Sequence, residues 1–278
     1  MNKNKFLNKN TLLIVPYTIW MVGFIIIPLF FVIFYAFTTK SGAFTLNNIL
    51  QFFDFGDNVH IKSFLLAAWL SFISTFICII MSYPLALILK NRKLSAKSFI
   101  IYIFILPMWM NSLFRIYAWS TLLERKGIIN AFLSFLHLPN IYIINTQYAI
   151  VLGMVYNFLP FMILPIYNSI MKIDDNILDA AKDLGSSFYN TFVKIILPLS
   201  FPGMLSGITM VFIPALTTIV ISNILGGGNI LLIGNVIEQE FLLTSNWNLG
   251  SGLSFVLIIF IFISMAITNK YSDGAEVL

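Results

Sequence analysis

The sequence predicts an all-α membrane protein that crosses a bilayer six times, and three observations predict it. Apolar residues make up 59% of the 278-residue chain, charged residues only 10%, and the mean hydropathy is +0.92. A soluble domain holds roughly 45–50% apolar and about 25% charged residues, so a water-exposed fold could not hide this much apolar surface. The apolar residues form runs of about the 20 residues that a spanning helix requires, with most charges between them.

Six segments meet that length: Leu12 to Phe37, Phe64 to Leu89, Ser98 to Trp119, Tyr148 to Ile170, Leu199 to Ser222, and Gly250 to Thr268. The third is the least uniform, because Asn111, Ser112 and Arg115 interrupt its second half. The first is too long for a signal-peptide core. It ends in the bulky Tyr35-Ala36-Phe37 instead of a small-residue cleavage site, so it reads as a retained helix. Prolines mark most spans (Pro16, Pro28, Pro84, Pro107, Pro160, Pro165, Pro202, Pro214), and a helix bundle tolerates the kinks they impose. Gly203 and Gly207 form a G-x-x-x-G pair in the fifth span, which permits close helix packing. The expected organisation is a single transmembrane domain over 1–278, with its most informative loop at about 171–198.

Basic residues orient the bundle. With the N-terminus inside, eleven lie in cytoplasmic segments: Lys3, Lys5, Lys9, Lys90, Arg92, Lys93, Lys97, Lys172, Lys182, Lys194 and Lys270. Four lie outside: Lys40, Lys62, Arg125 and Lys126. This asymmetry predicts a multi-pass protein of the cytoplasmic membrane with both termini in the cytoplasm.

Several functions are excluded on the same grounds. The net charge of +5 is spread over short loops, with no basic stripe interleaved with aromatics, which argues against nucleic acid as a partner. Cys78 has no second cysteine, and His60 and His137 lie far apart with no metal-ligand spacing, so neither a metal nor a cofactor is expected. Gly226-Gly227-Gly228 lacks the lysine of a phosphate-binding loop and reads as a turn. A membrane-embedded lipid enzyme would need clustered carboxylates, histidines or a nucleophile near the interface, and Asp174-Asp175 has no such company.

The loop between the fourth and fifth spans carries the most information. Asp174, Asp175 and Asn176 form a helix start, with acids near the positive end of the dipole. Gly185 is a stop residue, and Ser186 or Ser187 can cap a second helix with Phe188, Phe192 and Ile195 on one face. Ala181 and Gly185 are four apart, and their small side chains would let another surface approach the backbone. On these residues alone, a docking loop and a loop packed under its own bundle are both open.

The stretch also resembles the EAA motif of importer permeases of the ATP-binding cassette class: Glu-Ala-Ala, three residues, Gly, nine residues, Ile-x-Leu-Pro. Asp179-Ala180-Ala181, Gly185 and Ile195-Ile196-Leu197-Pro198 match its spacing, with Asp179 where the family usually has Glu. The resemblance implies a type I (MetI-like) permease bundle. It also implies that Asp179, Ala180, Ala181, Gly185, Leu197 and Pro198 belong to a coupling loop that docks on a separate ATPase. This chain has no G-x-x-x-x-G-K-[ST] sequence, so it is read as a transport subunit and not as an enzyme.

The resemblance extends to polyamine permeases of the spermidine/putrescine type. It rests on Pro107 to Tyr117, Gly127 to Asn130, Leu159-Pro160-Phe161-Met162 with Pro165-Ile166-Tyr167, and Leu232 to Ile237. It implies as partners a pair of ATPase subunits, a second related permease, an extracytoplasmic polyamine-binding protein, and membrane lipid. A permease for putrescine alone, or for another small solute, is the alternative.

A polycation pathway should offer aromatic faces or carboxylates. No Asp or Glu lies in a predicted span. Trp109, Asn111, Ser112, Arg115, Tyr117 and Tyr156 are the pathway candidates, with Trp119, Tyr167 and the outer acids Asp54, Asp57, Glu124, Glu238 and Glu240 behind them. The same aromatics would serve equally as interfacial anchors. Asn111, Ser112 and Arg115 would share a helix face, and Arg115 is expected to pair with Glu238 or Glu124. The stretch Asn223 to Leu249 is expected to hold a Gly-rich turn and a helix over Leu231 to Leu243 that contacts the binding protein or helps to gate the pathway.

Overall fold

The computed structural model describes residues 9–53, 59–90 and 106–275. Lys3, Lys5, Asp54, Asp57, Arg92, Lys93, Lys97 and the start of the third predicted span lie outside them. The elements are helical: α1 (Lys9–Met21), α2 (Ile27–Ala36), α3 (Asn47–Leu50), α4 (Val59–Lys90), α5 (Ser112–Leu123), α6 (Ile128–Phe135), α7 (Gln147–Met171), α8 (Asp175–Asp183), α9 (Phe188–Thr191), α10 (Leu197–Leu199), α11 (Phe201–Leu216), α12 (Val220–Leu225), α13 (Ile233–Leu242) and α14 (Trp247–Ala275).

Among the described residues, four stretches are long and apolar enough to cross a membrane: Ile14–Ala36, Val59–Lys90, Gln147–Met171 and Trp247–Tyr271. A fifth candidate is a pair, Phe188–Leu199 and Phe201–Leu216, bent by 66°. Pro198 and Pro202 explain the bend, because two amide donors are missing within about one turn of the hydrogen-bond ladder. The fifth span ends at Leu216 and not at Ser222 as the apolar run suggested. There the Thr217 hydroxyl donates to the Ile213 carbonyl at 3.1 Å, competing with the helix ladder.

Two π-helical turns follow the same rule. Val22–Ile26 precedes Pro28, and Phe192–Ile196 precedes Pro198. In each, the residue before the proline donates its N–H five residues back, Ile27 to the Val22 carbonyl and Leu197 to the Phe192 carbonyl. Widening the helix relieves the clash that a proline ring makes with the carbonyl four residues earlier.

The chain divides into two compact units, Met1–Ile61 with Ile237–Ile259, and Lys62–Val236 with Phe260–Leu278. In the first, two asparagines satisfy the free carbonyls at the end of α2. Asn48 Nδ2 donates to Tyr35, Ala36 and Thr38, and Asn248 Nδ2 to Tyr35 and Thr38. Phe37 stacks on Phe44 and meets Phe255 edge-on. A cavity of about 990 Å³ lined by Phe31, Tyr35, Lys40, Phe241 and Trp247 lies in this unit, and no predicted site residue lines it.

The second unit is built on α4, α7 and α11. One stripe of α4 is buried at helical spacing and is mostly small: Ser63, Ala67, Ser71, Ser74, Cys78, Ser82 and Ala86. Small residues let a neighbouring backbone come close, which is how helices associate without a hydrophobic driving force between them. The Ser74 hydroxyl reaches Met154 Sδ and the Cys78 thiol faces the Val155 carbonyl, both on α7. Gly203 and Gly207 of α11 lie against Pro165, Ser169 and Met162 of α7, so the G-x-x-x-G pair is a packing device. The most apolar stretch of α7 is 56% buried, against 6% for Ile14–Ala36. Its burial makes α7 the central helix of its unit.

Candidate functional site

The loop from Lys172 to Ser200 is built by its caps. The Asp174 carboxylate accepts from the Asn176 N–H at 2.9 Å and starts α8. Asp175 sits in the first turn and Lys182 in the last, each complementing the helix dipole. The end of α8 is a Schellman motif: Ser186 N–H donates to the Ala181 carbonyl, and Gly185 N–H to the Lys182 carbonyl. Gly185 has φ +73°, the left-handed conformation that this closure requires. Ser187, one of the two expected candidates, caps α9 by accepting from Asn190 N–H.

Ala181 departs from the expectation. It is buried beneath its own chain and does not share an open face with Gly185. Leu178 also turns inward, onto a core of Tyr83, Ala86, Ile166, Ile170 and Ile196. The outward surface is instead Asp179, Ala180, Gly185 and, above all, Leu184, which is 88% exposed, with Phe188 and Tyr189 beyond it. The exposed leucine that ends α8 and the two exposed rings that open α9 make an apolar knob. Asp179 and Lys182 form an ion pair at 2.8 Å whose partners are both largely solvated, so it is worth at most about 1 kcal/mol. Leu197 and Pro198 lie in the short α10 that carries the chain into the bend before α11.

The pathway candidates are dispersed. Trp109 is 83% exposed, and Tyr117 projects outward as well. Asn111 lies outside α5 as its cap, its side chain accepting from Leu113 N–H at 2.9 Å. The expected shared face of Asn111, Ser112 and Arg115 is therefore not formed: the helix begins at Ser112, which is exposed, whereas Arg115 is only 8% exposed. Nor does Arg115 make the expected pair with an outer acid. Among the described residues it has no ion pair, and its Nε and Nη1 have no hydrogen-bond partner. Tyr156 is brought to Trp119, their rings edge-to-face at 5.4 Å. Among the described residues no group of three His, Cys, Asp or Glu side chains is placed to hold a metal ion.

Two functional-looking clusters were not predicted. Buried Asn235 accepts from the Ser222 hydroxyl at 2.6 Å and from Leu232 N–H, and donates to Asn223 and to the Ile219 carbonyl. It ties α12 to the start of α13 across the glycine turn, where Gly227 and Gly228 both have positive φ. The second cluster is centred on Lys90, whose ammonium donates to the Ile170 and Ile173 carbonyls and pairs with Asp175. The sequence signals for the first are an Asn inside an apolar run and its place in the Leu232 to Ile237 stretch that resembles polyamine permeases. The second has none, because its partners lie about 80 residues away.

The second unit thus joins the spanning helices α4, α7 and α11 and carries a capped helix, α8, on the loop between α7 and α11. The chain belongs to the family of binding-protein-dependent transport system inner membrane components, whose model matches residues 68–271. It is thus a multi-pass inner-membrane permease subunit, for which six spans is the fitting count. The spermidine/putrescine transport system permease protein PotB of Haemophilus influenzae is 36% identical over 253 residues, 86% of each chain. The fold resembles a chain of a bacterial ABC transporter that imports the acidic polysaccharide alginate, with TM-score 0.77, 16% identity, and 94% and 95% of the two chains covered. It also resembles the alginate transporter in complex with an alginate pentasaccharide-bound periplasmic protein, with TM-score 0.74, 15% identity and 95% and 93% coverage.

Proposed function

We propose that this chain is the permease subunit of an ATP-driven polyamine importer, carrying spermidine, putrescine or both. The observation that carries the coupling is the exposed knob at the end of α8: a helix capped at both ends that presents Ala180 and Leu184 outward, with Phe188 at the start of α9 beyond them. The polyamine assignment is supported by the PotB relative. The alginate transporters share the fold yet carry an acidic polymer, so fold alone does not choose the cargo.

In this reading both termini are cytoplasmic and the whole of 1–278 acts as one permease domain beside a second, related permease. A pair of separate ATPases receives the two coupling loops through Asp179, Ala180, Gly185, Leu197 and Pro198, with Ala181 holding the helix to the bundle from beneath. An extracytoplasmic binding protein selects the polyamine. ATP binding closes the ATPases, the loops move with them, and the permeases rock between inward-open and outward-open states; hydrolysis resets them. The Trp119–Tyr156 pair offers the passing ammonium groups aromatic faces in place of the carboxylates that the predicted spans lack.

Uptake of labelled spermidine and putrescine, in cells that have no other polyamine uptake and express the complete subunit set, tests the cargo. Saturable uptake that needs all subunits supports the reading. An assembled, ATP-hydrolysing complex that takes up neither polyamine keeps the importer class and discards the cargo. The aromatic faces have their own test. Tyr156→Leu is expected to raise the polyamine KM roughly two- to fivefold, in line with a cation–π contact, while Tyr156→Phe leaves it unchanged. Equal KM values in all three proteins would reduce the pair to packing.

A further inference from the structure

We infer that Lys90 is a positioning residue that fastens the coupling helix to the second span, so that movement of α8 is delivered to α4. The inference rests on the docking role proposed for α8 and adds the element that receives the motion.

Lys90 is the last residue of α4. Its ammonium donates to the Ile173 carbonyl at 2.8 Å and the Ile170 carbonyl at 3.1 Å, and lies 3.5 Å from the Asp175 carboxylate. Each contact has a physical reason. Ile170 lies in the last turn of α7 and Ile173 just beyond it, at the negative end of the helix dipole, where the Ile170 carbonyl keeps only the i+3 bond from Ile173 N–H and has a lone pair to spare. Asp175 sits in the first turn of α8, so the same cation bridges the end of one helix and the start of the next. The junction between them is only three residues, Lys172 to Asp174. One side chain of α4 therefore holds both sides of the hinge about which α8 would swing.

The clasp is sheltered. The Lys90 side chain is 14% exposed and that of Asp175 38%, so the contact is less screened than the solvated Asp179–Lys182 pair on the same helix. A second grip lies two turns back along α4. Tyr83 shares a hydrogen bond with the Ser200 hydroxyl at 3.0 Å and meets the Phe192 ring edge-on at 5.5 Å. The end of α4 thus holds the loop at its entry through Lys90 and at its exit through Tyr83. A displaced coupling helix must take α4 with it or break contacts that bury a charge.

The test uses the complete importer in proteoliposomes with its loaded binding protein. It measures labelled spermidine taken up per ATP hydrolysed, and the stimulation of ATP hydrolysis by the binding protein. Lys90→Met keeps the stem and removes the donors; it is expected to retain basal hydrolysis and to lose about tenfold in uptake per ATP, within the range by which residues along a coupling route change it. Lys90→Arg restores most of the ratio, because it can still reach carbonyls and carboxylate. Asp175→Lys, which repels the ammonium from the hinge, is expected to uncouple as far as Lys90→Met, and it stands in if Lys90→Met does not assemble. An assembled Lys90→Met or Asp175→Lys complex with the unaltered ratio and stimulation overturns the inference, as does Lys90→Arg behaving like Lys90→Met. If the unaltered complex itself shows no stimulation by the binding protein, the fault lies with the importer reading and not with the clasp.

Discussion

Replacing Gly185 by tryptophan is expected to cut uptake by about 30- to 1,000-fold, the range that losing a docking hot spot of roughly 2–4 kcal/mol produces, while the chain still inserts. Two effects combine. The residue has φ +73°, where any side chain costs on the order of 1 kcal/mol. No atom lies within 4 Å of a Cβ built there, so the indole would project into open space beside Leu184 instead of being buried. That is the space that the proposed docking gives to an ATPase surface. Three substitutions separate the contributions. Gly185→Asn, which tolerates the left-handed region, should transport nearly normally. Gly185→Ala should lose only what the strain costs the end of α8. Gly185→Trp should lose the ATPase from a detergent pull-down. An ATPase that co-purifies equally with all three would refute docking at this surface.

The second large effect is on folding. A Cβ at Gly203 would sit 2.5 Å from the Pro165 carbonyl oxygen and 2.5 Å from Ser169 Cβ, and neither can retreat without moving α7. At Gly207 the nearest atom, also at 2.5 Å, is Met162 Sδ, the flexible part of a side chain that can swing away. Gly203→Leu is therefore expected to cost about 3 kcal/mol or more, and Gly203→Ala more than Gly207→Ala, whose penalty should be about 1 kcal/mol. Thermal unfolding of the detergent-solubilised chain, followed by its aggregation temperature, gives the order. The reverse order would mean that α11 does not lean on α7 through Gly203.

The loop shows how much local chemistry can settle. Asp174, Gly185 and Ser187 each act through atoms within three or four residues: a carboxylate to the second amide of its own helix, a left-handed glycine closing two carbonyls, a serine accepting from the next turn. Such contacts are decided before the chain folds, and their positions were readable. Pro28 was legible as a kink and Pro198 as part of the loop motif, though neither as the cause of a π turn, which depends on how the helix accommodates the clash.

Residues whose meaning depends on a distant partner were not readable. Arg115 was expected beside an acid. It is instead enclosed in its own unit without an ion pair among the described residues, because its surroundings are set by the packing around α5. The face shared by Asn111, Ser112 and Arg115 failed at one residue: Asn111 found a better use as a cap than as a helical position. Ala181 was taken for a docking surface because it is small, whereas its direction depends on which side of α8 meets the core.

Composition and run length determined that this chain crosses a membrane, and roughly where. Local capping determined that a short rigid helix stands between the fourth and fifth spans. These follow from the sequence by itself because solvent and near neighbours in the chain decide them. Which face of that helix looks outward, and that Lys90 holds its hinge, were decided only by the tertiary structure. The physical reason is separation: Lys90 and Asp175 are 85 positions apart, and only the parallel packing of α4 beside α7 carries the ammonium to the junction where the carbonyls ending α7 and a carboxylate lie together.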